Sequence, residues 1–155
     1  MADTKFPVDP VAARQRWMAV LARASAAEIE RHLADAPALP AHVRLRGPEV
    51  GLVMVRGRAG GGGGAFNLGE MSVARCSVRN DDGGIGHATV AGHDLRQAEL
   101  AAALDAALQD GTLRPALEAA VIAPLAAAQA ERRAAQARRA AATRVQFFTM
   151  ATMRS

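Results

Sequence analysis

The sequence predicts an α+β domain: an antiparallel meander of about four strands, with N-terminal helices before it and C-terminal helices after it, the last an alanine-rich arm. Two observations carry the sheet. The run Glu49 to Arg79 reads strand, glycine loop, strand, and the cluster Asn80-Asp81-Asp82-Gly83-Gly84 is a turn signal that delivers Ile85 to Ala91 as a further strand. A third carries the helices: Leu100, Leu104 and Leu108 recur at four-residue spacing, and an alanine, glutamine and arginine run follows.

In chain order, residues 1–9 read as a loose tail and residues 10–150 as one domain, with a second tail over 151–155. A helix opens at Pro10 or Val11 and places Trp17, Val20 and Leu21 on one face. Ala24-Ser25 interrupts it. Ser25 followed by Glu28 is a capping-box pattern for a second helix with Ile29 and Leu33 inward. His42 to Arg46 alternates as a first strand, and Gly47-Pro48 is read as a turn into the central hairpin.

Leu52 to Val55 is an apolar run followed by alternating arginine and small residues. That suits a strand buried at one end and solvated at the other. The glycines Gly60, Gly61, Gly62, Gly63 and Gly64 give up backbone entropy with no side chain to pack, so they form the hairpin's tip. Asp94 with Gln97 caps the leucine helix, and Asp110-Gly111 stops it. Pro115 and Pro124 frame a short helical piece, Ala116 to Val121. From Leu125 to about Thr143 the sequence is strongly helical, roughly 28 Å long, yet has one leucine. Such a helix packs through alanine or stands solvated. Val145 to Met150 holds two phenylalanines, as a segment that docks at a distance.

Composition bounds the function. With 155 residues the chain buries roughly two-thirds of its unfolded surface. Four Phe, one Trp and no Tyr leave a small-residue, aliphatic core. The net charge is +4 and nearly all of the positive charge is arginine. Cys76 stands alone, so no internal disulfide framework exists. No stretch has the length of a membrane span, and the first residues lack the regions of a signal peptide. A reducing cytoplasm is the expected setting. Nucleic acid is disfavoured, because the strands offer no aromatic platform for bases.

The glycine loop is not a P-loop, since no Gly-Lys-Ser/Thr follows, and it does not fit the dinucleotide fingerprint. It is either a long hairpin tip or a flap whose amides meet an anion beside Arg56 and Arg58. Arg44, Arg46, Arg75 and Arg79 fall towards the opposite end of the strands, with the parity of one sheet face within each strand. They are either solvated strand ends or a surface for phosphates or an acidic partner. His32, His42, His87 and His93 show no metal spacing, so neither zinc nor another cofactor is expected here. Nothing resembles an activated nucleophile.

The combination of blocks is more specific than any one of them. Arg14-Gln15-Arg16-Trp17-Met18-Ala19-Val20-Leu21-Ala22 resembles the amino-terminal signature of the PhnG subunit of the phosphonate carbon–phosphorus lyase system. Pro48 to Arg58, with the glycines and Phe66-Asn67-Leu68-Gly69-Glu70, is similar to the same family. Gly86-His87, Gly92-His93-Asp94, Ile122-Ala123-Pro124-Leu125 and Thr143-Arg144-Val145-Gln146-Phe147-Phe148-Thr149-Met150 fit in the same order. The chain departs at Gln146, where the family usually has aspartate, and after Met150, where it usually continues Val-Arg-Gly.

The resemblance implies a non-autonomous subunit of a core assembled with PhnH, PhnI and PhnJ, with catalysis centred on PhnI. That core transfers the ribose 5-triphosphate of a purine nucleoside triphosphate to an alkylphosphonate, releasing adenine. Matched blocks and chemistry together nominate Arg56, Arg58, Gly60 to Gly64, Asn67, Glu70, His87, His93, Arg144, Phe147 and Phe148 as substrate or partner contacts. The alternatives are a structural adaptor that never touches substrate, or an independent nucleotide-binding domain. In isolation a homodimer through the C-terminal helix is expected.

Overall fold

The computed structural model describes residues 10–60 and 62–144. The predicted tails and the Val145 to Met150 segment lie outside the described residues.

Helix α1 (Pro10–Leu21) buries Ala13, Trp17 and Leu21, one residue per turn, while Val20 is only partly buried. A short bend leads to α2 (Ala26–Leu33). Its capping box is complete: the Ser25 hydroxyl accepts from the Glu28 amide and the Glu28 carboxylate accepts from the Ser25 amide. Ile29 is fully buried and Leu33 packs at the edge of the core.

The sheet has three antiparallel strands in the order β1 (His42–Arg58), β2 (Ala65–Asn80), β3 (Ile85–Ala91). Four were expected, and the difference lies at Gly47-Pro48. The residues read as a turn are a bulge inside one continuous 17-residue strand. Register shifts flank them, between Arg44 and Arg46 and between Arg46 and Glu49. Gly47 takes φ +69, and a Cβ there would stand 2.6 Å from the Arg75 carbonyl oxygen, so only glycine fits the bulge. Because the pleat has period two, these shifts separate Arg44 from Arg46. Arg44 pairs with Val78 on the helix-covered face, and Arg46 pairs with Ser77 on the other.

The turn at Asn80 matches the expectation. The Gly84 amide donates to Asn80 Oδ1 at 2.6 Å, and Gly83 takes φ +84. Helix α3 (Leu95–Ala107), with Asp94 accepting from the Gln97 amide, lies across β2 and β3. Ala74, Cys76, Val78, Ala88 and Val90 meet Leu100, Leu104 and Leu108 there, all 7 % exposed or less. Contact is close because β3 offers glycine: a Cβ on Gly86 would collide with the backbone carbonyl of Ala102 and with Ala106.

From Arg114 the chain is helical to Ala142, as α4 (Arg114–Leu117), a π-helical turn (Glu118–Ile122) and α5 (Ala123–Ala142). The expected break at Pro124 is absent. The π turn sends the Ala123 amide to the Glu118 carbonyl, and this wider turn directly before Pro124 lets the helix carry on through a residue with no amide to donate. Leu125 and Gln129 are buried, with Gln129 Nε2 donating to the Val20 carbonyl at 2.9 Å. Arg132 reaches Glu28 at 2.8 Å, and nearly everything beyond it is solvated. The alanine-rich helix is therefore rooted at one end and free at the other.

Candidate functional site

The sheet divides into a base and an arm. At the base, β3, the lower half of β2 and α3 make a closed layer. Beyond it β1 and β2 continue alone, so Leu52 and Met54 on one strand and Phe66, Leu68 and Met71 on the other stand 42–66 % exposed, and Val50, where the arm leaves the base, is 46 % exposed. At the tip, Gly60 takes φ +64 and a Cβ on Gly63 would collide with the Ala59 carbonyl. Two of the glycines are thus required by the turn. Gly62 and Gly64 face open space, and Gly61 lies outside the described residues.

Four nominated residues come together on the arm. Arg56 sits opposite Asn67, Arg58 opposite Ala65 and Glu70 opposite Met54, which places Arg56, Arg58, Asn67 and Glu70 on one face near the tip. A shift between Val55 and Arg56 makes this possible by giving β2 one extra residue. Among the described residues, none of the arm's charged groups makes an ion pair. Arg56 and Arg58 are exposed cations with no side-chain partner among the described residues.

The other nominated residues lie elsewhere. His87 is on the opposite face of the base, its Nδ1 2.9 Å from Ser77 Oγ. His93 is exposed in the connection before α3, and Arg144 is exposed just past the end of α5. Phe147 and Phe148 lie outside the described residues. No group of three or more His, Cys, Asp or Glu side chains able to hold a metal ion occurs among the described residues.

Three arginines of the base, Arg44, Arg46 and Arg75, are held internally. Arg44 grips Glu99 through Nε and a terminal nitrogen, both at 2.8 Å. Its hydrogen bond holds the Glu99 carboxyl below the usual range despite partial burial. Arg75 and Arg46 both donate to Glu49 Oε1, at 2.9 and 2.8 Å, and together lower that carboxyl too. Arg79 is exposed with no ion pair among the described residues. Burial pushes the Cys76 thiol up, away from nucleophilic chemistry.

Sequence reasoning missed Asp105. It is fully buried, and its two oxygens accept four hydrogen bonds. Arg14 donates at 3.1 and 2.7 Å, Trp17 Nε1 at 2.9 Å and the His87 amide at 2.9 Å. One carboxylate ties α1 to α3 and to the outer edge of β3. The signal was present, because an aspartate inside a helix of leucine and alanine needs partners when every side is buried. A cleft of about 460 Å³ opens beside it, lined by Arg14, Gln15, Trp17, Gln109 and Arg114. Its arginines are already engaged: Arg14 by Asp105, Arg114 by the Leu108 and Gln109 carbonyls and the Trp17 ring. The cleft holds none of the nominated residues.

Residues 12–153 match the sequence profile of the family described as phosphonate metabolism protein PhnG. A relative from Rhizobium meliloti (strain 1021), the alpha-D-ribose 1-methylphosphonate 5-triphosphate synthase subunit PhnG, is 45 % identical over 140 residues, 90 % of this chain and 89 % of the relative. The chain belongs to the PhnG family. The resemblance of the blocks is thereby extended to nearly the whole chain, and the arm and the Asp105 clamp both fall inside the matched span. Among the described residues no helix is long and apolar enough to cross a membrane.

Proposed function

We propose that this chain is a subunit of a cytoplasmic ribose 1-methylphosphonate 5-triphosphate synthase, assembled with PhnH, PhnI and PhnJ. The complex transfers the ribose 5-triphosphate of a purine nucleoside triphosphate to an alkylphosphonate and releases adenine. In this reading PhnI supplies the catalytic centre and the present chain supplies surfaces. One observation supports it most: a long apolar hairpin is built out from a well-packed base and, among the described residues, is left uncovered. A two-stranded hairpin is marginal in water by itself, so such an arm is completed by another subunit. Arg56 and Arg58 suit a substrate with several phosphates, because desolvated arginine–phosphate pairs are strong.

The test is reconstitution with the three companion subunits, following assembly and adenine release together. Omitting this chain abolishes turnover in this account. With Arg56→Ala/Arg58→Ala, a complex that assembles normally but turns over slowly assigns the arginines to substrate; unchanged assembly and turnover removes them. A second reading, an adaptor that never meets substrate, is favoured by the internal pairing of Arg44, Arg46 and Arg75. It predicts that turnover falls only where assembly falls.

A further inference from the structure

The two edges of the sheet are treated differently. On β3 the outward main-chain groups are plugged by side chains from neighbouring helices. Asp105 accepts from the His87 amide, Gln109 Nε2 donates to the Ile85 carbonyl at 2.8 Å, and Arg14 reaches the same carbonyl. This is how proteins blunt an edge that must not pair. On β1 nothing comparable exists. Among the described residues no group outside the β1–β2 ladder bonds to the main chain of residues 42–58. Proline and the bulge interrupt this edge only near Gly47-Pro48, which leaves the nine residues from Val50 to Arg58 as an unprotected template.

We propose that the outer edge of β1, from Val50 to Arg58, receives a β-strand from a partner subunit, extending the sheet by main-chain hydrogen bonds. The proposal rests on the synthase-subunit reading and specifies how the arm is completed. Side-chain chemistry defines the incoming strand. Val50, Leu52, Met54, Arg56 and Arg58 alternate onto one face of β1, the face that α3 covers at the base but not on the arm. A matching strand carries apolar residues at alternate positions opposite Val50 to Met54 and acidic residues opposite Arg56 and Arg58. A second copy of this chain matches this edge less well. Antiparallel self-pairing over Val50 to Arg58, centred at Met54, sets Arg56 against Leu52 and Arg58 against Val50, so both arginines meet apolar side chains and the second copy offers no carboxylate opposite them.

Hydrogen exchange on the reconstituted complex, compared with the isolated chain, reads the ladder directly. Alternate amides between Val50 and Arg58 are expected to slow by at least about 10-fold on assembly. The charge-reversed Arg56→Glu/Arg58→Glu chain, folded by circular dichroism, is expected to assemble at least about 10-fold more weakly. A complex that forms while these amides exchange as in the free chain overturns the strand addition and leaves the subunit reading standing. A dimeric isolated chain with the same amides already protected overturns the choice of partner. Failure to form any complex with the companion subunits overturns both.

Discussion

The base and the arm are made from the same two strands, yet they obey different rules. At the base, Ala74, Cys76 and Val78 of β2 are at most 2 % exposed beneath α3. On the arm, Leu52 and Leu68 are 61 % and 66 % exposed, although their sequence is just as apolar. At the base Arg44, Arg46 and Arg75 meet carboxylates, and among the described residues the arginines of the arm do not. The difference separates what the chain needs in order to fold from what we propose it carries for a partner subunit. Burying a leucine contributes about 1.5–3 kcal/mol, and among the described residues the arm leaves that contribution unrealised.

Substitutions sharpen the contrast, beginning with the base. Asp105→Ala strands Arg14, Trp17 Nε1 and the His87 amide, and should cost about 3–5 kcal/mol in urea unfolding, nearer the lower value because Arg14 can rehydrate. Gly86→Val, which forces a side chain into the Ala102 carbonyl, should cost about 1–3 kcal/mol or prevent folding. Ser25→Ala should lose about 1 kcal/mol by removing half of the capping box.

Acid provides a related measurement. The Ser25 amide and Arg132 hold the Glu28 carboxyl down, as Arg44 holds Glu99 and Arg75 and Arg46 hold Glu49. Each folded value lies below the ordinary 4.5, so the associated stability is complete above that pH. It is lost as pH falls through the depressed values, and Glu28→Gln should flatten this acid limb of the melting temperature. On the arm, Leu52→Ser should change the stability of the isolated chain by less than about 0.5 kcal/mol. A large loss there would show that the arm belongs to the base after all.

Much of the fold was legible because local chemistry and tertiary packing agreed. The Ser25–Glu28 box, the Asp94 cap, the Asn80–Gly84 turn and the Leu100/Leu104/Leu108 stripe each formed where the pattern placed them. Gly47-Pro48 misled because the same dipeptide serves a turn or a bulge, and only the position of Arg75 across the ladder decides between them. Pro124 misled because a π turn upstream absorbs it. Of the nominated site, spacing brought Arg56, Arg58, Asn67 and Glu70 onto one face, but only through a one-residue shift that no pattern announces. His87 lies on β3, and His93, six positions on, lies past the end of that strand.

The most direct test pairs the two regions in one experiment: Leu52→Ser/Leu68→Ser in this chain, measured alone by thermal unfolding and then by adenine release after reconstitution with PhnH, PhnI and PhnJ. This account predicts an unchanged melting temperature together with lost assembly and turnover. Full assembly and turnover at an unchanged melting temperature would contradict it.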